Sequence, residues 1–237
     1  MSDLSFTVLE GELVVVVGKV GSGKTTLISS LLGETYRGGR NFYVKEGLRL
    51  SYVEQDPFII SDTLQNNVLF GLKFDALKFQ RVVELACLTE DLQELVKGED
   101  TLIGERGANI SGGQKARVSL ARALYAEPDV YILDDPFSAV DPKVAAKLME
   151  SCVCGALQGK TRIVVTHRLN FVKQAQKILF MERGRLKFSG SFEDFSQREE
   201  DLAKISAEGE EGGAAQEERK EGKASSKQQE EHPKEGV

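Results

Sequence analysis

The segment that most restricts what this chain can fold into is Leu13-Val14-Val15-Val16-Val17, followed without a break by Gly18-Lys19-Val20-Gly21-Ser22-Gly23-Lys24-Thr25. An unbroken apolar run, four-fifths β-branched, reads as a strand buried on both faces, since a half-solvated strand would alternate with polar positions. Beyond the glycines, Leu27, Ile28, Leu31 and Leu32 recur at helical spacing. A buried strand passing through a glycine-rich loop into an amphipathic helix belongs in a parallel sheet, whose strands need crossover helices.

The loop also carries chemistry. Gly18 to Thr25 fits the spacing G-x-x-x-x-G-K-[ST]. Glycines at 18, 21 and 23 let the backbone turn tightly and approach phosphate oxygens, and the successive N–H groups of Lys19, Val20 and Ser22, with the helix start, form an anion nest. Lys24 is a point charge for terminal phosphates, and the Thr25 hydroxyl is a hard oxygen suited to Mg²⁺. With Thr26 completing the helix start, Gly18 to Thr26 is the candidate binding segment. The plain alternative is a glycine-rich turn between strand and helix.

Further apolar runs at Leu50–Val53, Val130–Leu133, Arg162–Val165 and Ile178–Met181 predict four more buried strands, and Arg185–Phe188 after Arg183-Gly184 predicts a late hairpin strand. Val82, Val83, Leu85, Ala86 and Leu88 mark helix, and the stretch from Ser61 to Leu102 is helical in pattern. The fold class is therefore α/β, a mostly parallel sheet flanked by helices. Val130-Tyr131-Ile132-Leu133 ends in Asp134-Asp135. Charge is costly inside a sheet, so two carboxylates at a strand end more naturally face a cation at its edge. Asp134 is the candidate Mg²⁺ holder opposite Thr25, and Asp135 the group that orients or deprotonates attacking water; before Pro136, the pair also reads as a turn signal.

Composition excludes more than it selects. In 237 residues, 41% hydrophobic and 29% charged, the longest apolar run is Leu13–Val17, far below the roughly 20 residues of a membrane-spanning helix. Three cysteines, Cys87, Cys152 and Cys154, support neither a disulfide framework nor a zinc site, and predict reduced thiols in a reducing, cytosolic setting. A net charge of −6 gives no footing for an extended nucleic-acid surface, so no nucleic-acid partner is expected. From Ser206 to Gly236 there is no aromatic, Leu, Ile, Val or Met, which predicts a disordered charged tail.

Asn109-Ile110-Ser111-Gly112-Gly113-Gln114 precedes an evident helix, with Ser111 a natural N-cap. A Ser-Gly-Gly helix start is a second anion site, and one ATP cannot obviously use both within a single domain. A reciprocal arrangement with another domain is one reading of it; the plain alternative is a capped helix with a flexible entry. Here the chain resembles the nucleotide-binding domains of ABC transporters, from about Asp3 to Phe195, and so a P-loop NTPase fold with an inserted α-helical signature subdomain, about 61–126. Ile110 to Gln114 stands where that family has Leu-Ser-Gly-Gly-Gln. By resemblance, Gln55 is the Q-loop residue that touches Mg²⁺ and water, Ser138 to Asp141 the D-loop, His167 the switch histidine at the γ-phosphate, and Gly104-Glu105-Arg106-Gly107 a contact to transmembrane coupling helices. Asp56 to Gly71 and Asp134 to Asp141 resemble the first nucleotide-binding domain of the C subfamily, the multidrug-resistance-associated group, whose following linker the charged tail resembles.

The resemblance implies ATP and Mg²⁺ as ligands, Ser111, Gly112, Gly113 and Gln114 as nucleotide contacts across an interface, and Asp135, His167 and Gln55 as the catalytic set, with Thr25, Gln55 and Asp134 on the metal. It implies a second nucleotide-binding domain and exporter transmembrane domains as partners, and a place on the cytosolic face of a membrane. Residues 1–203 form the ATP-binding domain and 204–237 the tail. Two departures are visible. Asp135 stands where most of the family has Glu, which implies slow hydrolysis at this chain's own loop. The upstream aromatic that stacks on adenine falls before Met1, so the N-terminal antiparallel subdomain reads as truncated and adenine affinity as weakened. A regulatory module using ATP as dimer glue, and a soluble ABC ATPase acting on nucleic acid, are the competing readings.

Overall fold

The sheet is built outward from its most apolar strand. The computed structural model describes residues 4–35, 43–198 and 203; the charged segment 204–237 lies outside them. β1 (Leu13–Val17) is buried at every position and pairs in parallel with β4 (Thr161–Val165) on one side and β5 (Lys177–Glu182) on the other, Val15 standing opposite Val164 and Ile178. The six strands run β2-β3-β4-β1-β5-β6, with β2 (Leu50–Val53) and β3 (Val130–Asp134) parallel and β6 (Arg185–Gly190) antiparallel to β5. Along β1 successive side chains go to opposite faces: Leu13, Val15 and Val17 join the larger core, Val14 and Val16 the smaller one with Leu27 and Ile28. Two apolar faces explain the unbroken run. Each valine buried this way is worth about 1.5–3 kcal/mol over exposure.

One strand departs from expectation. β2 lies at the sheet's edge, where Leu50 is 43% exposed, Ser51 and Tyr52 are half-buried and only Val53 is buried. The edge position leaves one side of the strand to solvent and puts the Tyr52 phenol beside the neighbouring strand's end. The β5–β6 hairpin turns through Arg183 and Gly184, both at positive φ, the conformation that two-residue hairpin turns require.

Helices cover the sheet. α1 (Lys24–Leu32) follows the glycine loop. The helical region contains α2 (Leu64–Leu69), α3 (Ala76–Leu85), α4 (Thr89–Glu94) and α5 (Gly112–Ala126). Thr63, Asp75 and Ser111 cap α2, α3 and α5 with their side chains. Tyr125, almost fully buried, ties this region together by donating to Lys73 O (2.7 Å) and accepting from Asp75 N (2.9 Å). After β3, Asp141 caps α6 (Pro142–Lys147), Pro142 sits at its first turn, and the helix runs on as π-helix to Ala156. α7 (Leu169–Val172) and α8 (Phe192–Ser196) complete the described elements. All three cysteines are free, and burial pushes the Cys152 thiol up to about 12.

Candidate nucleotide-binding site

Parallel strands deliver their C-terminal ends to one edge of the sheet, where a doubly covered α/β sheet binds ligands. The glycine loop follows β1 there. Gly18, at φ +149, lies so close to the β5 end that a Cβ would stand 2.1 Å from Met181 O, so only glycine fits. The hairpin turn holds the loop from the same side: Gly184 N donates to Ser22 O at 2.8 Å. Val20, Thr25 and Thr26 are exposed, and Gly21 has open space around it. Lys24 Nζ folds back onto the loop, donating to Gly18 O and, at 3.0 Å, to Lys19 O. Ser22 Oγ is buried and, among the described residues, has no hydrogen-bond partner. An orphaned hydroxyl and an ammonium resting on carbonyls, within a loop of positive-φ glycines, are what a phosphate-binding loop needs, and the residues fit that group.

The second part arrives from β3. Asp134, 3% exposed, receives the Tyr52 hydroxyl at 3.4 Å. Burial holds its carboxyl above the usual carboxylate range; the Tyr52 hydrogen bond opposes this, the charge of Asp135 adds to it, and Lys24 pulls it back. Burial first, then the charge of Asp134, lifts the Tyr52 phenol above its ordinary value. A carboxylate lifted by burial and lying within the field of the loop lysine gains from a cation beside it. The donor set of Thr25 hydroxyl and Asp134 carboxylate is hard oxygen and fits Mg²⁺. Among the described residues no cluster of three His, Cys, Asp or Glu side chains could hold a metal, so a Mg²⁺ held by Thr25 and Asp134 would need phosphate and water oxygens as well.

Asp135 occupies the left-handed region, φ +43, with its N–H donating to Val165 O at 3.0 Å. The pairing of β3 with β4 thus continues past Asp134 and turns the next carboxylate toward the end of β4. There His167 Nδ1 stands 3.3 Å from Asp135 Oδ2. Non-glycine residues at positive φ cost about 1–2 kcal/mol, strain that tends to collect at functional sites. Gln55, in the loop after β2, is exposed and, among the described residues, is not hydrogen-bonded to Asp134 or Thr25.

Ser111 and Gln114 form a reciprocal capping box at the start of α5: Ser111 Oγ accepts from Gln114 N (3.1 Å) and Gln114 Oε1 from Ser111 N (2.8 Å). Gly112 and Gly113 abut the loop after β3. A Cβ on Gly112 would meet Ala139 Cβ at 3.4 Å, and one on Gly113 would meet Ala139 O at 3.1 Å. These glycines pack on residues 136–141. That loop is gripped from behind by Arg168, whose Nη2 donates to Phe137 O (2.9 Å) and Val140 O (3.4 Å). Burial pulls the Arg168 guanidinium below its ordinary value, against the charges of Asp135 and Asp141. Sequence reasoning passed over Arg168 because its partners are carbonyls some thirty positions away; its one local signal was adjacency to His167.

The family model described as "ABC transporter" matches residues 1–138. The chain belongs to the ABC transporter family. Among its relatives, the human ATP-binding cassette sub-family C member 4 is 45% identical over 195 residues, covering 82% of this chain and 15% of that protein. ABC transporter C family member 2 of Dictyostelium discoideum is 42% identical over 205 residues, 86% of this chain and 15% of the relative. ABC transporter C family member 9 of Arabidopsis thaliana is 43% identical over 198 residues, 82% and 13%. The chain thus spans about 15% of the length of the curated relatives it matches, and among the described residues no helix is long and apolar enough to cross a membrane. As an ABC ATP-binding domain it has a mostly parallel six-stranded sheet flanked by helices, as the motifs lead one to expect.

One surface of this ABC domain was not foreseen. Phe58 (56% exposed), Phe70 (51%) and Leu72 (49%) ring a groove of about 430 Å³ that also takes in Tyr52, Glu54 and Arg122. Arg122 stacks over the Phe70 ring at 4.5 Å and donates to Phe58 O. Two exposed phenylalanines and a leucine thus lie around one groove, and Arg122 holds the phenylalanines. The sequence segment Gly104–Gly107 carries exposed Glu105 and Arg106 in a short 3₁₀ turn.

Proposed function

We propose that this chain is the MgATP-driven motor domain of a C-type ABC exporter, that it pairs with a second nucleotide-binding domain, and that its own loop holds ATP but turns it over slowly. Gly18 to Thr26 binds the phosphates, with Lys24 exchanging its loop carbonyls for phosphate oxygens. Thr25 and Asp134 hold Mg²⁺, which supplies charge neutralisation when bound, and Gln55 contributes from the neighbouring loop. Asp135 orients water, and His167 fixes the Asp135 carboxylate and reaches the terminal phosphate. Ser111 to Gln114 completes the partner's site. The transmembrane partner docks over the Phe58–Phe70 groove and the 104–107 turn, which places the domain on the cytosolic face of a membrane.

The observation that carries slow turnover is the anchoring of Asp135. Its backbone is fixed by Val165 O and its side chain engages His167, so it cannot slide forward to make up for its length. Aspartate falls about 1.5 Å short of glutamate, and a misplacement of about 1 Å costs on the order of a hundredfold in rate. Single-turnover hydrolysis with a partner domain present tests this: Asp135→Glu is expected to speed this site by ten- to a hundredfold, and an unchanged rate refutes it. The regulatory reading, ATP as dimer glue, draws on the same residue; steady-state ATPase without stimulation by any partner would favour it.

A further inference from the structure

The signature's own glutamine is already spoken for inside the chain. Gln114 Oε1 accepts from Ser111 N, while its Nε2 donates at 2.9 Å to Oδ1 of Asp91 on α4. Asp91 is buried, 9% exposed, and the same Oδ1 also receives Arg117 Nη2 at 2.9 Å. Arg117 Nη1 comes within 2.7 Å of Asp91 Oδ2 outside the hydrogen-bonding direction, so that contact is an ion pair. Arg117 also donates through Nε to Gly113 O (3.3 Å) and through Nη1 to Cys87 O at the junction of α3 and α4. One buried carboxylate thus holds both a residue of the first turn of α5 and one a turn further on.

A helix start binds an anion through N–H groups aimed at a fixed point, and a site loosened by 1 Å loses most of that advantage. The Ser111–Gln114 segment is glycine at two of four positions, with little stiffness of its own. Resting on the reading that this segment completes a partner's ATP site, we propose that Asp91 is a positioning residue for it: through Gln114 and Arg117 it locks the first turn of α5, so that Ser111 and the Gly112 and Gly113 amides meet the partner's phosphate and the Gln114 amide is structural rather than a nucleotide contact. A buried network of this kind is all or nothing, because a half-satisfied carboxylate costs more than none.

The test reverses the donor and acceptor. Gln114→Glu sets a second carboxylate against Asp91, and Asp91→Asn in the same chain relieves that repulsion: the new amide donates to the introduced carboxylate, which also takes over the Arg117 Nη2 bond that Asp91 Oδ1 gives up. With a catalytically competent partner domain, Gln114→Glu is expected to lower kcat at the partner's site roughly tenfold, KM for ATP staying within about twofold. The double variant should recover to within about threefold of the original. In the full chain alone, amide exchange at Gln114 and Lys115, whose N–H groups donate to Ser111 Oγ and Ser111 O, should accelerate in Gln114→Glu and return in the double variant, a readout that needs no partner. Asp91→Asn alone, checked by thermal denaturation and MgATP binding at the chain's own loop, controls for folding. A double variant no better than Gln114→Glu in both measurements overturns the proposal. If Ser111→Arg leaves the partner's rate untouched, the signature completes no site and the functional reading falls with it, an outcome distinct from failed rescue.

Discussion

Gly18 offers the sharpest quantitative test of how the phosphate loop is held. Its φ of +149 is one that side chains rarely adopt, and a Cβ would sit 2.1 Å from Met181 O and 2.8 Å from Ser22 Oγ. Met181 is buried in β5, paired with β1 and β6, so its carbonyl cannot retreat by the ~1 Å that ordinary van der Waals contact requires. Gly18→Ala therefore combines backbone strain of about 1–3 kcal/mol with overpacking of about 1–3 kcal/mol, roughly 4 kcal/mol together. Gly21→Ala is the matched control. It also has positive φ, +76, but nothing lies within 4 Å of its Cβ position, leaving only about 1–2 kcal/mol of strain. Guanidinium unfolding without nucleotide measures both at equal m-value. Gly18→Ala should lose at least about 1.5 kcal/mol more than Gly21→Ala. Equal losses within about 0.5 kcal/mol would refute the close approach as the reason for glycine.

Two further predictions follow from buried groups. Arg168→Lys shortens the arm and withdraws the one nitrogen, Nη2, that reaches both Phe137 O and Val140 O; it should cost about 1–2 kcal/mol and speed amide exchange at Val140 several-fold, and an unchanged exchange rate would remove Arg168 as the grip on that loop. Cys152, its thiol pushed from 9.0 to about 12 by burial, keeps its proton in the folded state while the unfolded thiol ionises, so its contribution to stability falls as pH rises above 9. Between pH 8 and pH 10 the protein should lose about 1.4 kcal/mol more than Cys152→Ala does, and parallel pH profiles in denaturant titrations would contradict the burial.

What the sequence made legible was what is local along the chain. Leu13–Val17 announces its own burial because both faces of β1 meet a core, and the glycine loop announces phosphate because strand, nest and lysine are contiguous. Leu50–Val53 misled for the complementary reason: an edge strand and a central strand can carry similar short apolar runs, and which one lies at the edge is decided by pairing with Val130–Leu133, eighty positions away. Within Leu50–Val53 nothing local marks Tyr52 as part of the site, yet its hydroxyl reaches Asp134, a contact that exists because β2 and β3 are adjacent.

The same distinction separates the two halves of the site. Residues that touch ligand come in short motifs, since a loop or a helix start supplies several groups at once, and these are visible in one dimension. Residues that hold those groups still are spread through the fold. Asp91 stands beside Glu90 in the stretch that reads as helical, with nothing to distinguish the two, and only packing against α5 turns one of the two carboxylates inward onto Gln114 and Arg117 while the other stays in water. Arg168 likewise meets carbonyls, which carry no side-chain signature at all. The motifs therefore mark the candidate phosphate loop and the signature segment. The contacts that hold those segments in place lie in tertiary pairs that no local pattern encodes.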